Sequence, residues 1–163
     1  MKAIHGLLVA VVTCVTAFAA SAEDVVLVSS PISYATDGAA PDEVRKECDW
    51  NTAMPLYLAK ESDGRVKVTD QSIGAKTDKK LTLVATNLHT AGGGGWSGPK
   101  WLALTGELKE GGKLLGNFEV RRQTIRGSMH GCGTLNSLSE EVAKDILTWL
   151  KTPSLNAKLG DAK

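Results

Sequence analysis

The sequence predicts an α+β fold: a two-layer sandwich, with a mostly antiparallel sheet of about five strands and two helices on one face. Three observations predict it. Residues 81–90, 101–108 and 114–125 are consecutive runs of strand-forming residues separated by turn-forming ones, the pattern of an antiparallel meander with one wet face. Leu138, Val142, Ile146, Leu147 and Leu150 form one apolar stripe at helical spacing, with Trp149 beside it. A second helical segment follows Pro41, where Val44 and Cys48 stand four residues apart. Helices with a single apolar stripe need a sheet to bury it against, and a sandwich supplies one.

Taken in order, residues 1–22 read as a signal peptide. Lys2 is the short positive region, an apolar run follows, and Ala20-Ser21-Ala22 is a small-residue cleavage site. The run is too short and too rich in Ala and Thr to span a bilayer. Cleavage is expected after Ala22. Lipidation at Cys14 is not expected, because Thr13 precedes it and the apolar run continues past it. One α+β domain is expected over 23–153, with 154–163 as a flexible C-terminal tail.

Within the domain, 24–29 is a β-branched strand, and 31–40 is loop-like with an Asp37-Gly38 turn. Pro41 suits the first turn of a helix, with Asp42 and Glu43 favoured by its dipole. Pro55 should kink or split that helix, and Asp63-Gly64 should stop it. Residues 65–70 alternate, with Val66 and Val68 on one face. In 101–108, Leu102, Leu104 and Leu108 share a face. In 114–125, Phe118 and Val120 point inward while Asn117, Glu119, Arg121 and Gln123 point outward. Ser137 and Glu140 have the spacing of a capping box before the last helix, and Thr152-Pro153 ends it.

Composition excludes several functions. The chain carries 19 basic and 18 acidic side chains, and Lys2 is the only charge in the leader. The exported part is therefore neutral and shows no basic stripe, which argues against a nucleic-acid partner. No second apolar segment is long enough to cross a membrane. Cys48 and Cys132 are the two cysteines left after cleavage. In an oxidising compartment they pair as a disulfide, which would staple the two helices together on one face of the sheet.

Residues 91–99 hold four consecutive glycines followed by Trp96, Ser97, Gly98 and Pro99. Ordering such a run costs much backbone entropy, so it reads as a loop tip that can also serve as a contact. Neither a phosphate-binding loop nor a nucleophile elbow is present, because Pro99 occupies a position each motif needs for another residue. His130 and Cys132 resemble a thiol or metal pair, but a disulfide consumes the sulfur. No metal or cofactor is implied. Arg121 and Arg122 are expected on opposite faces of their strand, either solvated or ion-paired. The best contact surface the sequence offers combines His89, Trp96, Ser97, Trp101 and Arg121.

Glu47-Cys48-Asp49-Trp50, Met54-Pro55, Trp96-Ser97-Gly98-Pro99, Gly131-Cys132-Gly133 and the helix over 145–153 together resemble a group of small uncharacterised exported proteins and lipoproteins of proteobacteria. The group brings no catalytic residues. The order of elements is similar to small α+β domains of envelope-assembly lipoproteins that bind protein partners. The expectation is an exported, periplasmic or secreted, non-catalytic binding or accessory module with an envelope protein partner, its oligomeric state left open. The alternative is a small periplasmic hydrolase using His89 or His130 with Ser97, Ser128 or a carboxylate.

Overall fold

The computed structural model describes residues 25–69, 79–90, 98–125 and 131–162. The chain runs β1 Val26–Ser29, β2 Ser33–Tyr34, a 3-10 turn Asp37–Ala39, α1 Asp42–Glu47, α2 Trp50–Glu61, β3 Val66–Thr69, β4 Lys79–His89, β5 Lys100–Glu110, β6 Lys113–Thr124, α3 Gly131–Trp149 and β7 Ala157–Gly160. The fold is the α+β sandwich. Its single sheet has seven strands rather than five, in the order β3-β1-β4-β5-β6-β7, with β2 also pairing β4. The long centre β4-β5-β6 is antiparallel. Both flanks are parallel: β1 to β3 and β4, β2 to β4, and β7 to β6.

The two additional strands come from segments with no readable period. β2 is two residues long. It is steadied by Arg45, whose guanidinium lies 4.6 Å from the Tyr34 ring centre and donates to the carbonyls of Thr36 and Asp37. β7 lies in 154–163, the segment expected as a flexible tail, so that expectation is corrected. The segment is held by residues far away in sequence. Asn156 N–H donates to Asn117 Oδ1 at 2.8 Å, Asp161 N–H donates to the Arg121 carbonyl at 2.7 Å, and Lys158 pairs with Glu119 at 2.6 Å. No local pattern could announce them.

Among the described residues three helices form rather than two, because the first helical segment splits at Cys48 and Asp49 and not at Pro55. Cys48 is extended, with φ −112° and ψ 127°. Pro55 sits inside α2 and is buried. A proline there removes the N–H that would bond the carbonyl four residues earlier, on Asn51. That carbonyl instead accepts the Ile32 N–H at 2.9 Å, which ties the chain between β1 and β2 to the helix. α2 ends at Glu61, ahead of Asp63 and Gly64, both with positive φ.

The core lies between one face of the sheet and the helices. Leu81, Leu83, Ala85 and Leu88 of β4, Leu102, Leu104 and Leu108 of β5, and Phe118 and Val120 of β6 are buried with Trp50, Met54 and Leu58 of α2 and Leu135, Leu138, Val142 and Ile146 of α3. Gly106 pairs with Phe118, and a Cβ at 106 would stand 2.2 Å from the phenyl ring. The missing side chain lets that ring lie over the strand, where it meets Trp149 edge-on at 4.7 Å. α3 starts six residues before the expected cap. Ser137 is interior and its hydroxyl donates to the Gly133 carbonyl at 3.2 Å. The buried stripe continues upstream through Leu135 and Thr134, so burial carries the helix across Gly133. Cys48 and Cys132 form the disulfide, with Cα atoms 5.2 Å apart. It joins the end of α1 to the first turn of α3, within the helical layer.

Candidate functional site: an aromatic stack on the open face

The second face of the sheet carries the alternate residues of β4, β5 and β6, and these are exposed or half-buried. A β-bulge decides what stands there. In β4 the inward positions are Leu81, Leu83 and Ala85, and strict alternation would turn Asn87 and His89 into the core. The register shifts between Ala85 and Asn87, leaving Thr86 as the extra residue. Leu88 then packs inward opposite Leu102, while Asn87 faces outward opposite Ala103 and His89 opposite Trp101. Thr86 offsets its lost place in the ladder by donating its hydroxyl to the Ala103 carbonyl at 3.1 Å.

The outcome is a cluster about Trp101, with a ring stack on one partner and a cation on another. The His89 imidazole lies 4.2 Å from the Trp101 ring centre, with 17° between the planes. The Arg121 guanidinium lies 5.1 Å from the same ring. The two groups come from β4 and β6, which flank β5 on opposite sides. Trp101 Nε1–H donates to Asn87 Oδ1, which fixes the ring's rotation. Such contacts contribute about 1 kcal/mol each at most on an exposed face. They orient the groups more than they hold the fold together. Arg121 Nε is buried and has no hydrogen-bond partner among the described residues. Beside the stack lies an open hollow of about 670 Å³, floored by Ala103 and Thr105 and edged by Glu119, Gln123 and Asp161.

Of the residues expected to form the surface, His89, Trp101 and Arg121 are brought together. Trp96 and Ser97 lie outside the described residues, as do Ser128 and His130 of the hydrolase alternative and Cys14. His89 touches an aromatic ring. Among the described residues no hydroxyl or carboxylate is hydrogen-bonded to it. Among them, too, no group of three or more His, Cys, Asp or Glu could hold a metal. No helix among them is long and apolar enough to cross a membrane. Asn87 and Asp161 belong to the surface and were not foreseen. The break in parity between Ala85 and Leu88 is the signal that could have found Asn87. Nothing local could have found Asp161, which follows the unforeseen β7.

Arg122 faces the helices, as its parity requires. Its Nε and one terminal nitrogen each donate to Asp145 of α3 at 2.7 Å, and Asp161 stands 4.0 Å away. The hydrogen bond to Asp145 raises the Arg122 pKa above its ordinary value, against a smaller opposing effect of burial. Gly160, with φ +61°, packs against this pair: a Cβ there would stand 2.5 Å from the Arg121 carbonyl and 2.9 Å from Arg122 Nε. Arg122 is thus structural, clasping β6, α3 and the end of β7.

No family model and no curated protein matches the chain. Comparison with solved structures finds similar chains. An uncharacterised protein superposes with a TM-score of 0.57 at 13% identity, covering 78% of this chain and 93% of its own. A putative neuraminyllactose-binding hemagglutinin homolog from Helicobacter pylori gives 0.44 at 10% identity, over 79% and 87% of the two chains. The PelC dodecamer from Paraburkholderia phytofirmans gives 0.40 at 14% identity, over 72% and 86%. The first likeness establishes a shared fold.

Proposed function

We propose that this protein is an exported, non-catalytic binding module of the cell envelope, and that it meets an envelope protein partner through the open sheet face around Trp101. The observation that carries the reading is the stack itself. The indole, imidazole and guanidinium are held in fixed relation on a face that none of the described helices covers. Aromatic and arginine side chains of restricted rotation are the groups that anchor protein interfaces, because little entropy remains to be lost on binding. Export is supported by the leader-like sequence at 1–22 and by a disulfide closing 84 residues, a feature of oxidising compartments.

The test is capture from an envelope fraction by the folded, disulfide-bonded protein, beside Trp101→Ala and Arg121→Gln. The expected result is a partner held by the wild type and lost by both variants, with each variant's circular dichroism unchanged. A partner retained by both moves the site off this face. If nothing is captured and the protein instead hydrolyses a broad ester and peptide panel in a His89-dependent manner, the binding reading fails.

A further inference from the structure

At the far end of the meander, about 24 Å from Trp101 along β5 by strand rise, lies a second concavity. We propose that this groove binds a single-chain amphiphile with an anionic head, taken up as a free monomer. Its volume is about 470 Å³, within the range of small-molecule sites. The walls are Leu108, Leu115 and Leu150, with Arg65, Lys79 and Lys151 around them. Among the described residues, no carboxylate lines it.

Two features give it this shape. The first is another β-bulge. The pairing of β5 with β6 slips between Leu108 and Lys109, so that Leu108 opposes Gly116, Lys109 opposes Leu114, and Leu115 is the extra residue. Leu115 is left half-buried, packed on the core at its base and open to the groove. The second is the end of α3, where Leu150 and Lys151 follow the last helical turn. Their backbone N–H groups still donate to Ile146 and Thr148.

The charges complement one kind of ligand. Lys79 is engaged with Glu110 at 3.9 Å. Arg65 uses Nε on the Ser62 carbonyl at 3.1 Å, and among the described residues neither Arg65 nor Lys151 has an ion-pair partner. An acyl chain would lie on the leucines and the aliphatic stems of the basic residues. Its head would meet the guanidinium fork of Arg65 and the Lys151 ammonium. A neutral head leaves both cations uncompensated, and a cationic head is repelled.

The test is titration calorimetry with laurate, dodecyl maltoside and dodecyltrimethylammonium, each below its micellar concentration. Saturable one-to-one binding of laurate is expected, at least tenfold tighter than either of the others. Arg65→Gln and Lys151→Gln should each weaken laurate about threefold, a change typical of exposed charge pairs, and leave the maltoside unchanged. Trp101→Ala should leave laurate binding intact, which keeps this site separable from the partner surface. Equal affinity for laurate and maltoside would overturn the proposal, as would indifference to both charge changes. So would a protein that ignores free laurate and binds only vesicles of anionic phospholipid, which would mark a surface-docking patch.

Discussion

The two faces of the β4-β5-β6 meander are built from the same three strands and do opposite things. On one face most alternate positions are leucine, alanine, valine, phenylalanine or glycine packed against α2 and α3, with Lys100 and Arg122 at its end, and the disulfide ties α1 to α3 in the helical layer. On the other, the alternate positions are mostly polar or aromatic, with Val84 and Ala103 between them, and their contacts include a ring stack and an ion pair between Lys158 and Glu119. Alternation along a strand lets stability and recognition occupy neighbouring residues with little interference. Leu102 and Trp101 are adjacent in the chain, yet substitutions at them should be felt by different assays.

Four measurements would break or sharpen that contrast. The largest effect should come from the disulfide. Reduction, or Cys48→Ser with Cys132→Ser, should lower unfolding free energy by about 4 kcal/mol, the chain-entropy value for a loop of this length. The readout is the denaturant midpoint with and without reductant. Leu104→Ala, at a residue 1% exposed, should cost about 3 kcal/mol and leave partner capture per folded molecule unchanged. A smaller cost would mean the helical layer collapses into the gap.

Asp145→Asn comes next, at about 2 kcal/mol, because it removes the charged acceptor of a bidentate, half-buried pair. Its pH dependence follows from the raised Arg122 pKa. A group raised on folding contributes its full stabilisation below its unfolded pKa and loses it only as pH climbs through the folded value. For a guanidinium that window lies well above neutrality. The cost of Asp145→Asn should therefore be flat between about pH 6 and pH 9, and hydrogen exchange should show β7 loosening first. A strong dependence in that range would assign the clasp to some other titrating group. Trp101→Ala should be the mildest for stability, about 1 kcal/mol or less, and the most damaging for partner capture. A large loss of stability would mean the stack is part of the core after all.

How much of this was legible follows from where the information sits. α3 and the three meander strands announce themselves because Leu138, Val142, Ile146 and the leucines of β5 repeat at the period of their own element. The disulfide was legible from cysteine number and from the leader-like sequence at 1–22. β7 was not, since Ala157 and Leu159 gain their meaning only from β6, 39 positions upstream in register. The split at Cys48 was misplaced onto Pro55 because a proline's cost depends on whether another donor reaches the freed carbonyl, and Ile32 does so only in the folded chain. At the site, His89, Trp101 and Arg121 could be named in advance. Their stacking could not, because it depends on a register shift that frequencies of residue types do not encode.

The bulge at Thr86 also gives β4 one residue of slack. Loss of a single residue between 82 and 86 can be taken up by drawing the bulge straight, after which Leu88 still meets Leu102 and His89 still meets Trp101. Gain of a residue there has no such reserve and would need a second irregularity or an inverted strand end. Length variation in this strand should therefore be lopsided, with shortened forms keeping their surface and lengthened forms losing it.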